Sequence, residues 1–272
     1  MSDPVTRREP DPTPLSHQIQ KDIIMEISNS VALVTGANRG IGREFVAELL
    51  NRGVAKIYVA ARDTASLKDL LKDGDSRLIA LPLDVTDPDQ VAAAAKIAAD
   101  VTLLVNNAGY AAFEGAIAAP DMDDARREME VNYFGTLSLT RAFAPVLAKA
   151  GGGALVNMLS MLALVSLPMA ATYSASKAAS LSLTRSLRAE LCAQGTQVVG
   201  VLAVQTETNM GAKLPEPRMT PQEVVTDALD AIEAGTNDEI VAGNQTRAIH
   251  EAFVADPKGL QEKMSARLPQ RA

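Results

Sequence analysis

The sequence predicts an α/β fold, a doubly wound parallel sheet of about seven strands with helices on both faces in three layers, α/β/α. Three observations predict it. From Val31 onward, short apolar runs alternate with amphipathic stretches of helical period, the pattern of repeated strand-helix units. The runs carry almost no polar residue, as strands covered on both faces require. The first run opens into a glycine-rich turn, from Gly36 to Gly42, that leads straight into a helix.

The elements follow in order. Strands are expected over 31–35, 56–61, 78–83, 101–105, 154–159, 197–203 and 239–242, each a short, mostly β-branched or aliphatic run. Helices are expected over 41–51, 65–71 and 89–98, the last opened by Pro88 at its first position. One long helix is expected over 123–150, with Pro145 set to bend or end it. Two more cover 172–193 and 221–234, separated by a strand and a loop of about 17 residues. No repeat or linker interrupts this series, so 27–272 reads as one domain. Residues 1–26 read as a disordered leader or tag-like extension. Pro4, Pro10, Pro12 and Pro14 stand there among polar residues, and no apolar core of a secretion signal is present.

Composition narrows the chemistry. Of 272 residues 47% are hydrophobic, and the formal charge is -7, which disfavours nucleic acid and anionic membrane surfaces. Cys192 stands alone, so an intramolecular disulfide and a Cys-rich zinc site are excluded, and no metal is expected. His17 and His250 are poorly placed for a His-based triad. The stretch 150–176 has no charged residue and is long enough to span a bilayer. Its glycines 151–153, Asn157, Ser160 and Pro168 suit a buried strand and an apolar loop better, so a cytoplasmic protein is expected.

The turn Thr35-Gly36-Ala37-Asn38-Arg39-Gly40-Ile41-Gly42 sits between a strand and a helix. There the first helical amides and the dipole's positive end attract a pyrophosphate, and missing side chains let the backbone approach it. The second strand ends in Ala60-Ala61-Arg62-Asp63. Ala61 stands where a site for NAD would place a carboxylate, whereas Arg62 and Arg39 suit a 2'-phosphate, so NADP(H) is expected over NAD(H). Farther on, Tyr173 and Lys177 lie four apart on a helix and share a face. A nearby ammonium favours the phenolate, about 1.4 kcal/mol for each pKa unit. Ser160 ends the preceding strand at the sheet edge where such folds bind ligands.

At this point the chain resembles the short-chain dehydrogenase/reductase family, over about residues 27–243. Four motifs carry the resemblance in the family's order: Gly36, Gly40 and Gly42; Asn106-Asn107-Ala108-Gly109; Ser160; and Tyr173 with Lys177. The resemblance implies a Rossmann-type oxidoreductase in which Tyr173 exchanges a proton with the substrate, Ser160 orients the carbonyl, and Lys177 holds the nicotinamide ribose. It also makes Asn132 the fourth catalytic member, holding a water in a proton relay. Asn38, Arg39 and Ile41 fall in the pyrophosphate loop. Asp84 and Val85 fall where the family contacts adenine, and Asn106, Ala108 and Gly109 where it lines the adenine ribose and supports the sheet. After the sixth strand the family's Pro-Gly is replaced by Ala203-Val204, with Thr206 and Thr208 beyond it as further cofactor contacts. Glycine's freedom is lost there, so either the loop takes a different path or the cofactor contacts change.

The segment from Met161 to Met169 is apolar and flexible. It would line one wall of the cleft, with Ser160, Met161, Leu162, Tyr173 and Met210 as substrate contacts and Tyr110 and Phe113 as further walls. It would equally cover the sheet or join a subunit contact. A lipophilic ketone or secondary alcohol is favoured over an acid, whose cations would have to come from Lys213 or Arg218. Helix 172–193 carries a Leu183, Leu187, Leu191 stripe and a small-residue face at Ser174, Ala178, Ser182 and Ser186, which suits a homodimer or homotetramer. The leading reading is therefore an NADP(H)-dependent carbonyl reductase or alcohol dehydrogenase. One alternative is a dinucleotide-binding sensor whose hydride transfer the Ala203-Val204 change has disabled. Another is a sugar-nucleotide enzyme, which would want a longer C-terminal substrate region.

Overall fold

The computed structural model describes residues 25–236 and 238–269. Seven parallel strands form one sheet in the order β3-β2-β1-β4-β5-β6-β7. They are β1 Val31–Thr35, β2 Lys56–Ala61, β3 Leu78–Pro82, β4 Leu103–Asn106, β5 Gly153–Met158, β6 Thr196–Leu202 and β7 Glu239–Val241. The two-residue period of each strand divides its apolar side chains between two cores. Ala32 and Val34 of β1, Leu103 and Val105 of β4 and Val199 and Val201 of β6 join one. Leu33, Leu104 and Val198 join the other.

The first core is covered by α1 (Gly40–Asn51) through Phe45, Val46 and Leu49, and by α7 (Pro221–Glu233) through Val224, Ala228 and Ile232. Across the sheet lie α3 (Pro88–Ile97) with Val91, α5 (Thr136–Lys149) with Leu139 and Phe143, and α6 (Ala171–Cys192) with Leu187 and Leu191. The chain winds outward from β1 to β3, then returns to lay β4 on the other side of β1. That reversal opens a crevice beyond the carboxyl ends of β1 and β4.

Several elements differ in detail from the sequence reading. The region 65–71 is a 3-10 turn, Thr64–Leu67, followed by a single helical turn, α2 (Lys68–Leu71). The helix expected over 123–150 is α4 (Asp123–Met129), a π turn (Glu130–Gly135) and α5. Pro145 lies inside α5 without ending it. The helix stops instead where Gly151, Gly152 and Gly153 take positive φ. The uncharged stretch 150–176 becomes β5, two 3-10 turns and the start of α6, and no described helix is long and apolar enough to cross a membrane. Met25, assigned from sequence to the leader, packs in the first core at 9% exposure. The rest of that leader, residues 1–24, lies outside the described residues. Beyond β7 two further helices follow, α8 (Asn244–Ala255) and α9 (Pro257–Ser265).

Candidate active site

The crevice at the switch point is a cavity of about 970 Å³. Its phosphate end is set by a polar junction between β1 and β4. The Thr35 hydroxyl donates to Val105 O and accepts from the amides of Asn107 and Ala108, both at 3.0 Å. Asn107 Nδ2 donates to Thr35 O at 2.8 Å and to Gly36 O at 3.4 Å. These bonds fix a turn in which Gly36 and Gly40 have φ of 64° and 53°, conformations that glycine adopts freely. Gly42 has a different reason to be glycine: a Cβ there would lie 2.2 Å from Gly36 O.

The residues present fit a dinucleotide. Gly36, Asn38, Arg39, Gly40 and Ile41 line the cavity, and no side chain caps the start of α1, leaving its first amides for an anion. Arg39 and Arg62 line the same end, and no ion pair or hydrogen bond engages either guanidinium among the described residues. Asp63 uses its carboxylate to accept from Ala65 N at the following turn. Asp84, Val85, Ala108, Gly109, Thr206 and Thr208 also line the cavity. Asp84 Oδ1 is already engaged by Thr86 N and Oγ1, at 3.0 and 2.7 Å.

Two residues assigned from sequence to cofactor contact do not reach the cavity. Gly42 lies behind the loop against Gly36. Asn106 belongs to β4 and is buried, donating to Asn157 Oδ1 at 2.9 Å and Thr140 Oγ1 at 3.3 Å, so it supports the sheet. Its neighbour Asn107 lines the cavity instead. That exchange follows from one residue of strand alternation, which motif matching does not resolve.

Ser160, Tyr173 and Lys177 come together at the floor of the cavity, each less than 10% exposed. Ser160 follows β5, and its Oγ accepts from Leu162 N at 3.1 Å, which fixes the turn. Lys177 Nζ donates to Met158 O at 2.8 Å and lies 5.8 Å from the centroid of the Tyr173 ring. Burial pushes the phenol up to about 12, and the charge of Glu128 adds to this, against the lowering effect of Ser160. Desolvation also lowers Lys177 to about 8. No lowering of the Tyr173 phenol by Lys177 is seen here; burial sets the direction of its shift.

Asn132 stands in the π turn, 2% exposed and behind the cavity wall. Its amide exchanges two bonds with the Tyr110 backbone and donates to Ser176 Oγ at 2.9 Å. Ser176 in turn donates to Tyr173 O, so Asn132 is tied to the helix that carries the phenol. The Ala203-Val204 replacement does not require a glycine conformation, since Phe113 is the one described non-glycine residue with positive φ. Ala203 O accepts from Met161 N, and Val204 N donates to Thr246 Oγ1 of α8.

At the substrate end Met161, Leu162, Val165, Leu167 and Met169 line the cavity with Phe113, Met210 and Met264. Arg218 is engaged by Glu216 and by Leu214 O, and it does not line the cavity. The Lys213 side chain lies outside what the structure describes. The sequence reading missed Asn107, Glu128, Ser176 and the contribution of α9, whose Met264 packs against the cluster of Leu167, Ala170 and Tyr173.

A glycine loop on an uncapped helix and a Ser, Tyr, Lys floor meet in one switch-point crevice of a doubly wound α/β sheet, the arrangement of a dinucleotide site. The chain belongs to the short chain dehydrogenase family, whose pattern matches residues 30–218. It is 42% identical to a short chain dehydrogenase from Burkholderia cenocepacia J2315 solved with NADP, with a TM-score of 0.83 over 88% of this chain and 99% of that one. It is 27% identical to the NADPH-bound carbonyl reductase from chicken fatty liver, with a TM-score of 0.69 over 75% and 91%. Dehydrogenase/reductase SDR family member 7B of Mus musculus is 32% identical over 195 residues, 68% of this chain. The match spans about 60% of that relative's length.

Proposed function

We propose that the protein is an NADP(H)-dependent carbonyl reductase or alcohol dehydrogenase acting on a lipophilic ketone or secondary alcohol, with Tyr173 as the acid-base group. The convergence of Ser160, Tyr173 and Lys177 on the cavity that also holds the glycine loop carries this reading. Bound there, a nicotinamide dinucleotide supplies or takes up a hydride. Gly36, Asn38, Gly40 and Ile41 would hold its pyrophosphate by backbone approach, and Arg39 and Arg62 a 2'-phosphate. Ser160 Oγ orients the substrate oxygen and stabilises charge on it. Tyr173 Oη gives that oxygen its proton in reduction and removes it in oxidation. Lys177, with its ammonium lowered to about 8, is suited to pass a proton back to the phenol near neutral pH.

The apolar side chains of the Met161 to Met169 segment, with Phe113 and Met264, favour an apolar substrate body over an acid or a sugar phosphate. A homodimer or homotetramer through α6 is consistent with its exposed small residues Ala178, Ser182 and Ser186, although Ser174 is buried within the fold. The deciding experiment is Tyr173→Phe, with NADPH oxidation followed over a panel of ketones and NADPH binding followed by fluorescence. Binding should survive, and turnover should fall about 100-fold or more. Ketone reduction at the parent rate would overturn the assignment.

A further inference from the structure

The chain after β7 returns to the substrate end of the cavity. Helix α8 is anchored there by the buried Thr246, whose hydroxyl accepts from Val204 N, and by Ile249 and Phe253, which pack on the cluster of Leu159 and Met161. Asp256 then caps α9, its carboxylate accepting from Gly259 N at 2.9 Å. From this turn α9 reaches the 161–169 wall, where the Gln261 amide exchanges two bonds with the backbone of Ser166, each of 2.9 Å. Three residues on, Met264 lines the cavity and packs against the cluster of Leu167, Ala170 and Tyr173. Pro269 meets the other wall, after β4: a Cβ on Gly115 would lie 2.5 Å from Pro269 Cγ and 3.4 Å from Pro168 O.

The segment 256–269 lies outside residues 30–218, which carry the family pattern, and it lends the cavity Met264 and Arg267. Its attachments are light. Gln261 pairs with Ser166 at the surface, and α9 buries one leucine, Leu260, so its docking adds little to either core. Neutral hydrogen bonds at a solvent-exposed contact are worth little net, and such a segment opens at small local cost. What the docking does achieve is to join the 110–115 and 161–169 walls across the substrate end. Methionine is unbranched and adapts to what it packs on. Standing in a cavity that also holds Tyr173, Met264 sets how far an apolar body can extend from the reacting carbon.

We propose that residues 256–269 form a strap across the substrate end of the cavity and that Met264 is a specificity-determining residue on it, limiting the length of the apolar body that a ketone or secondary alcohol can carry. The proposal rests on the carbonyl-reductase reading. Gln261 and Gly115 are positioning residues at the two ends of the strap. The first ties it to the 161–169 wall, and the second leaves room for Pro269 on the 110–115 wall.

The test is a series of phenyl alkyl ketones, from phenyl methyl to phenyl hexyl ketone, reduced by the full chain with NADPH. Met264→Ala should raise kcat/KM for the hexyl ketone relative to the methyl ketone by about tenfold or more, the scale of a methylene gained in an apolar pocket. Met264→Leu, close in volume, should keep the parent's length profile. Gln261→Ala and Gly115→Ala disturb opposite ends of the strap, and each should raise the ketone KM by about three- to tenfold, the scale of one neutral hydrogen bond. In these two variants kcat and NADPH affinity should change by less than about twofold, the split expected when only substrate binding is lost. A length profile unmoved in Met264→Ala would overturn the proposal. So would an unmoved ketone KM in both end variants, or a loss of kcat or NADPH affinity in step with KM. Each of these results leaves the carbonyl-reductase reading standing, because the parent still reduces ketones. A parent chain that binds NADPH and reduces no ketone would overturn the reading on which the strap rests.

Discussion

Replacing Gly42 with alanine tests whether the phosphate turn is built by close approach or by backbone conformation. Gly42 lies in the first turn of α1, where alanine is otherwise favoured by about 0.5–1 kcal/mol. The new Cβ would lie 2.2 Å from Gly36 O and 2.5 Å from Asn107 Nδ2, more than an ångström inside normal contact. Relieving the clash means moving backbone that Thr35 and Asn107 pin to β4. Overpacking of this kind costs about 1–3 kcal/mol, and losing the bond from Asn107 to Thr35 O costs about 1 kcal/mol more. After the helical gain, the net loss is about 1–3.5 kcal/mol, a fall of about 2–14 °C in melting temperature for a domain of this size. Gly74→Ala is the control, because it has φ of 68° and no atom within 4 Å of a Cβ. That variant should lose only the conformational cost of about 1–2 kcal/mol and bind NADPH normally. Gly42→Ala should also weaken NADPH by about tenfold or more, a loss of about 1.4 kcal/mol, because the turn it displaces faces the anion. Unchanged melting and unchanged NADPH affinity in Gly42→Ala would refute the close-approach argument.

Other outcomes follow from the same geometry. Arg39→Ala and Arg62→Ala should each weaken NADPH by about 10- to 100-fold, the size of one charge-assisted bond of about 1.5–3 kcal/mol, and leave NADH nearly unchanged. Parallel fluorescence titrations would show it, and equal losses for both nucleotides would defeat the 2'-phosphate assignment. Lys177→Met should stabilise the cofactor-free protein at pH 7 while abolishing turnover. Folding lowers the Lys177 pKa from 10.5 to about 8, a cost of about 3 kcal/mol at neutral pH. The bond to Met158 O offsets about 1 kcal/mol of this. Between about pH 8 and 10 the unfolded chain binds more protons at this site than the folded one, so wild-type stability should rise with pH relative to the variant. Denaturant midpoints at pH 7 and pH 9.5 would settle it, and a variant less stable than wild type at pH 7 would contradict the burial argument.

Much of this was legible in the sequence, for reasons that differ between regions. The strands were visible because both faces are covered, which leaves runs such as Ala32-Leu33-Val34 with no polar residue. Tyr173 and Lys177 were visible because helical spacing fixes a shared face, and Ser160 because it closes a strand at the sheet edge. What stayed hidden depends on contacts distant in sequence. The π turn at Glu130–Gly135 breaks an otherwise regular helical pattern, and its packing partner is Val85, beside which Gly135 has no room for a side chain. The contribution of α9 depends on Gln261 pairing with both backbone groups of Ser166, 95 residues away. No local periodicity reports such a contact.

The two ionisable groups at the floor are shifted toward neutrality for a shared physical reason. Tyr173 is raised and Lys177 lowered, both chiefly by desolvation, so the cofactor-free site holds a protonated phenol beside an ammonium that loses its proton more readily than usual. Such a pair is costly to fold, and a protein selected for stability alone would replace it with hydrocarbon. Anionic groups brought into the cavity by a dinucleotide would favour the charged ammonium, and a charged ammonium favours the phenolate. On the proposed reading, ligand binding and proton transfer would be linked through Lys177, whose separation from Tyr173 is set by α6, one helix turn of which carries both groups.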